Sequence, residues 1–201
     1  PDAPLVGEAP VTSASPAADV RSPAGAAEVK IAVISLLGQS GFDRIHGGNP
    51  FTYLGNVLER IAKDARVVIV DFHATTTAEK YTMFHYLDGN VTAVVGSGQR
   101  VQTADAQVMP SGTAVICDAG RTGSADSVNG LLPEPEIKKY LTRIPIRSEE
   151  TWDGLELQGV MIEIDPAGGY VTGFQPVRET CPEPPAEEQA QHSKRRRGKK
   201  S

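Results

Sequence analysis

Short β-branched runs alternate with amphipathic stretches along most of this chain. Val29–Ile34, Val67–Val70, Val91–Val95 and Thr113–Cys117 are apolar runs bounded by polar or turn-forming residues; they are too short for helices and read as buried strands. Between the first two, Asn49-Pro50 offers a helix cap followed by proline at the first helical position, and Phe51, Leu54, Val57, Leu58 and Ile61 fall on one face. The next helix has Thr76 and Glu79 at capping-box spacing, Gly89 at its stop, and Met83, Phe84 and Leu87 as core residues. A glycine-rich loop from Asp118 to Gly130 precedes a helix near Glu134–Leu141 and a strand around Ile144–Arg147. Leu155–Ile164 and Tyr170–Val177 flank Asp165-Pro166-Ala167-Gly168-Gly169, a hairpin signal. Alternating strands and helices define an α/β chain.

Composition adds boundaries to this pattern. Residues 1–27 are dominated by alanine, proline and small polar residues, which cannot offset chain entropy by burial, so they read as a disordered arm or a degraded segment. Residues 28–178 form the expected domain. Residues 179–201, with Pro182-Glu183-Pro184-Pro185 and the terminal Lys194-Arg195-Arg196-Arg197-Gly198-Lys199-Lys200, read as a disordered tail with a basic end. From Glu179 onward four glutamates face six lysines and arginines, a net of +2, so of the formal −5 the rest of the chain carries −7. An acidic body argues against nucleic-acid binding over its surface. The basic end could attract a polyanion such as RNA by counterion release, although a solvated tail is the commoner use of such a run. No apolar stretch is long enough to span a bilayer and no signal-peptide pattern opens the chain, so no membrane is implied and the cytoplasm is the expected location. Cys117, in a core strand, and Cys181, in the tail, read as free thiols.

Candidate chemistry gathers at the strand ends. Open α/β sheets place their sites beyond the carboxyl ends of the strands, and there stand Asp71-Phe72-His73 and the loop Gly96-Ser97-Gly98-Gln99-Arg100-Val101-Gln102-Thr103-Ala104-Asp105. Together with Thr77-Ala78-Glu79-Lys80, Tyr86-Leu87-Asp88-Gly89, Gly112-Thr113-Ala114 and Asp118-Ala119-Gly120-Arg121-Thr122-Gly123, these motifs resemble the carboxyl-terminal half of the bacterial YmdB-like metallophosphoesterases. Those are cyclic-nucleotide phosphodiesterases of the calcineurin-like superfamily. The resemblance runs from about Val29 to Val177. It implies a metallophosphoesterase-like four-layer α/β/β/α sandwich, incomplete at its amino-terminal side, a divalent metal cofactor (Mn, Fe or Mg) and 2′,3′-cyclic nucleotides as substrates.

The same resemblance implies that the loop after the Val-Val-Gly strand reads Gly-Thr-His-Thr-His, with both histidines on metal; here Gly98 and Arg100 stand at those positions. His73 is the one ligand carried over, and Thr75 stands where the family has glutamate. An amino-terminal half with an aspartate, a Glu-Asn pair and a Gly-Asn-His motif is also implied, and nothing upstream of Val29 matches it. Two-metal phosphoesterases clamp the attacking and leaving oxygens between cations, which requires several converging ligands. Arginine offers no lone pair, and at ~5 Å from a divalent ion, in an effective dielectric near 20, its charge is repelled by roughly 6–7 kcal/mol.

The expectation is therefore a phosphodiesterase relative with an eroded metal site, inactive as an isolated chain. One alternative is a non-catalytic protein that binds a nucleotide or phosphate, or engages RNA or another partner. Another is an active metal-dependent phosphodiesterase completed by a separate amino-terminal half; homo-oligomers are also open. The expected pocket comprises Asp71, Arg100, Thr103, Asp105, Asp118 and Arg121, with His73 as the metal candidate and no catalytic residue assigned. Arg100, and Arg121 where the family has methionine, could hold an anion without metal; a loop arginine extending into solvent is the commoner case. Asp105 and Asp118 could orient pocket residues or simply cap backbone amides. His46, His85 and His192 form no cluster with His73.

Overall fold

A computed structural model of the chain describes residues 29–41, 47–61 and 63–182. The arm, His46, His192 and the basic end of the tail lie outside these residues. The elements run β1 (Ile31–Leu37), α1 (Pro50–Ile61), β2 (Val67–His73), α2 (Thr77–Leu87), β3 (Ala93–Ser97), β4 (Gln107–Val108), β5 (Ala114–Ile116), β6 (Gly123–Ser124), α3 (Pro133–Thr142), β7 (Leu155–Ile164) and β8 (Val171–Thr180).

One sheet has the order β1-β2-β3-β5-β4. Its β1, β2, β3 and β5 are parallel neighbours, and β4 pairs antiparallel with β5. α1 and α2 make the crossovers that parallel strands require. Because side chains alternate along a strand, Ile34, Leu36, Val68, Val70, Phe72, Val94 and Val115 belong to one core cluster with Leu54, Met83, Phe84 and Leu87 of the helices. Phe51 meets Phe72 edge-on, with ring centroids 6.5 Å apart. The other face carries Ile31, Val33, Ser35 and Leu37 beside Val67, Ile69, Asp71 and His73.

β6, β7 and β8 form a second, antiparallel sheet. It is tied to the first where the Arg66 guanidinium donates to the Ala167 carbonyl (2.7 Å) and the Thr92 hydroxyl to the Gly169 carbonyl (3.0 Å). Gln102 Nε2 donates to the carbonyls of Gly159 (2.8 Å) and Val177 (3.0 Å). The mixed α/β architecture read from the sequence is thus present. α3 stands apart, with no buried side chain. No helix among the described residues is long and apolar enough to cross a membrane.

The helix starts follow their local signals. Asn49 Oδ1 accepts the Phe51 N–H (2.9 Å) ahead of α1, and Thr76 Oγ1 accepts the Glu79 N–H (3.3 Å) ahead of α2. Glu79 does not answer with the second bond of a capping box. Its carboxylate reaches across to the N–H groups of Gln39 (2.7 Å) and Ser40 (3.0 Å), closing the turn after β1.

Three sequence readings need correction. Ile144–Arg147 is not a strand: Pro145 has no N–H for a ladder, and no strand pairs with the segment among the described residues. The third strand starts at Ala93 and continues to Ser97, because Gly96, whose absent Cβ would overlap the Cys117 carbonyl, lets it run close beside the chain after β5. The second strand of the hairpin runs on through Thr180, opposite Glu156.

Candidate functional site

The parallel register brings polar residues together at the carboxyl ends of β1, β2 and β3. Ser35 lies opposite Asp71, and His73 opposite Ser97. Asp71 accepts the hydroxyls of Ser35 (3.0 Å) and Ser97 (3.1 Å), one on each oxygen. Ser97 Oγ also lies 3.1 Å from His73 Nδ1. Asp71 thus orients a serine that in turn meets an exposed imidazole.

A second cluster lies under the loop from Gly96 to Asp105. Asp118 is fully buried; its oxygens accept the N–H groups of Gln99 (2.6 Å) and Gly120 (2.9 Å). Lys80 Nζ stands 3.6 Å from the same carboxylate, both side chains being at most 1% exposed. That is an ion pair too long for a hydrogen bond, and the ammonium has no hydrogen-bond partner. Thr103 Oγ1 accepts the Asp118 N–H (2.9 Å), and Asp105 accepts the Cys117 N–H on both oxygens (3.2 Å each). Burial raises the Asp105 pKa, but hydrogen bonds from Thr103 and Cys117 outweigh it and hold the carboxyl below its ordinary value. Burial, then the neighbouring Asp105, pushes the Cys117 thiol up to about 12. Asp105, Thr103 and Asp118 therefore fasten the loop to the end of β5 through backbone groups.

The two arginines have different surroundings. Arg100 is exposed at the loop's turn, with φ at +60°. Arg121 folds into its own loop, donating from Nη2 to the Ser124 carbonyl (2.6 Å) and the Ser127 hydroxyl (3.1 Å), while its N–H goes to Gln158 Oε1 (3.0 Å). Gly98 adopts φ +113°, and a Cβ there would lie 2.9 Å from the Ala74 carbonyl oxygen and 3.3 Å from His73 Cε1. A groove of about 680 Å³ lined by Lys30, Tyr53 and Arg60 lies at the other end of β1, away from these residues.

The described residues do not fit a two-metal centre. No group of three or more His, Cys, Asp or Glu among them converges. Asp71 already accepts two hydroxyls, His73 Nδ1 faces Ser97, and Gly98 and Arg100 supply no metal donor.

Sequence reading overlooked Lys80, Ser35, Ser97 and the reach of Glu79. Lys80 did carry a signal. It stands three, four and seven residues before Met83, Phe84 and Leu87, on the stripe that faces the core. Nothing local marked the serines, whose role comes from register between strands.

A parallel sheet with crossover helices on one face and its polar cluster beyond the strand ends defines an α/β protein of the metallophosphoesterase-like class. Residues 12–177 match the family model of the YmdB-like proteins, and the chain belongs to that family. It is 38% identical over 136 residues to a 2′,3′-cyclic-nucleotide 2′-phosphodiesterase of Bacillus subtilis (strain 168), covering 68% of this chain and 51% of that protein. It is similar in structure to a novel phosphatase of Mycoplasma pneumoniae, with a TM-score of 0.69, 33% identity and coverage of 76% of this chain and 54% of that one. A hypothetical protein from Thermus thermophilus gives a TM-score of 0.68, 29% identity and coverage of 76% and 58%. The chain spans about half the length of the curated relatives it matches.

Proposed function

We propose that this chain is the carboxyl-terminal half of a YmdB-like phosphodiesterase domain and that, by itself, it does not hydrolyse phosphodiesters. The observation that carries this reading is the loop after β3. Gly98 and Arg100 replace the two donors the family pattern requires, and Gly98 sits where a side chain would press on the Ala74 carbonyl. One imidazole and one hydroxyl-bound carboxylate hold a divalent ion poorly, and a fixed cation nearby repels it. The test is calorimetric titration of the full chain with manganese, paired with an assay of 2′,3′-cyclic nucleotide hydrolysis on the same sample. The expected result is neither tight metal binding nor turnover; turnover that disappears in His73→Ala overturns the reading.

A second reading is favoured by the exposed apolar face of β1, where Ile31, Val33 and Leu37 lie open. Here a further set of strands, on the same or another polypeptide, covers that face and supplies the missing ligands for manganese, iron or magnesium. Titrating the chain with the amino-terminal half of an active relative tests it: recovered, metal-dependent hydrolysis supports completion. Metal-independent nucleotide affinity lost in Arg100→Ala would instead support a non-catalytic anion site, and binding lost on removal of residues 183–201 would support a polyanion-binding tail. The free thiols of Cys117 and Cys181 suit a reducing compartment such as the cytoplasm.

A further inference from the structure

α3 has no buried side chain, unlike α1 and α2. Ile137, Tyr140 and Leu141, with Ile144 just past the helix end, are 55%, 86%, 80% and 61% exposed. Their spacing of three, four and seven residues puts them along one stripe. Together they expose on the order of 600 Å², at the top of the ~300–600 Å² range of the largest patch on an ordinary monomer and near the ~800 Å² each partner gives to a standard interface.

The helix is held in place by polar bonds, which fix the stripe without covering it. Glu136 takes the Lys139 ammonium (2.7 Å) and the Ser148 hydroxyl. The Leu132 N–H reaches the Glu149 carbonyl (2.9 Å), and the left-handed Arg143 closes the last turn on the Lys139 carbonyl (2.8 Å).

Charge identifies the occupant. Beside the stripe, the first turn carries the exposed Glu134, whereas the later part of the helix carries Lys138 and Arg143, also exposed. Such a surface complements itself when two copies lie antiparallel, each acidic start against the other's basic end, and opposes like charges when they lie parallel. A twofold interface requires this kind of self-complementary patch.

We propose that α3 is a dimerisation helix and that its apolar stripe is covered by α3 of a second copy of this chain, antiparallel about a twofold axis. The proposal does not depend on whether the strand-end site is active. The experiment is sedimentation equilibrium of the full chain under reducing conditions, over a range of concentrations, with far-UV circular dichroism to confirm that each variant is folded. A concentration-dependent dimer is expected. Leu141→Glu, at a side chain that touches little in the monomer, should weaken it by at least about 30-fold, the scale of an interface hot spot; Tyr140→Glu should do the same. Glu134→Lys and Lys138→Glu should each weaken it, and the double charge exchange should restore much of the loss. A monomer at every concentration overturns the proposal. So does a dimer indifferent to Leu141→Glu and Tyr140→Glu, which would place the interface elsewhere. Failure of the double exchange to restore affinity would overturn the antiparallel arrangement.

Discussion

The two faces of the first sheet have the same kind of sequence and opposite surroundings. On β1, Ile34 and Leu36 are buried, while Ile31 and Val33 are 56% and 68% exposed. A strand of a parallel sheet is apolar on both sides because both sides are normally covered. Here α1 and α2 cover one. Hydrophobicity alone therefore did not decide which positions became core; the crossover helices did, and the opposite face retains the composition of a covered surface. The strand ends show the same separation, since the buried base of the Gly96–Asp105 loop keeps a dense polar network while Arg100 extends from its turn.

The largest effects should come from the covered side. Phe72→Ala removes a fully buried ring that packs on Phe51, and should cost about 3–5 kcal/mol in urea unfolding. Asp118→Ala should cost a similar ~3–5 kcal/mol, because it leaves the Lys80 ammonium buried without its counter-charge. Lys80→Met together with Asp118→Ala should recover part of that loss. If Asp118→Ala alone costs under about 1 kcal/mol, the pair is not the anchor described above.

A smaller effect, with a defined pH dependence, is expected at Asp105. Asp105→Asn weakens acceptance of the Cys117 N–H and should cost roughly 1–3 kcal/mol near neutral pH. The folded pKa of Asp105 lies below its ordinary value. Its contribution is therefore complete above the unfolded value, near 3.9, and is lost as pH falls through the lower folded value. The gap in unfolding free energy between native chain and variant should close over that acid range; a gap that widens there would contradict the assignment. Cys117, buried with its thiol raised to about 12, should resist alkylation in the folded chain while the half-buried Cys181 reacts.

Much of this fold was legible because its signals are local. Asn49-Pro50 marked the start of α1, Thr76 capped α2, and Asp165–Gly169 marked the turn between β7 and β8. What escaped depends on groups distant in sequence. Glu79 had the right spacing for a capping box, yet the turn at Gln39 and Ser40 competed for its carboxylate. Ile144–Arg147 had the composition of a strand but contained Pro145. At the site, the motifs located Asp71 and His73 at the end of one strand, whereas Ser35 and Ser97 joined them through a pairing register that no single segment encodes. Asp105 and Asp118 were identified as pocket or capping residues, and their bonds to N–H groups of Cys117, Gln99 and Gly120 are those of caps.

The smallest expected effect is the sharpest test of the two-face comparison. Val33 lies on the open face, between Ile31 and Ser35. If water reaches that face in the full chain, Val33→Thr keeps a β-branched shape suited to a strand and removes almost no buried apolar surface. Its unfolding free energy should then stay within about 0.5 kcal/mol of the native chain. Ile34→Val, one position away on the covered face, should cost about 0.5–1.5 kcal/mol although it deletes only one methylene group. A Val33→Thr loss above about 1 kcal/mol would show that the open face is occupied in solution. Repeating the measurement across a hundredfold range of protein concentration then separates the two possible covers. A loss that grows with concentration points to a second chain, because association adds stability by mass action, while a constant loss points to another segment of the same chain.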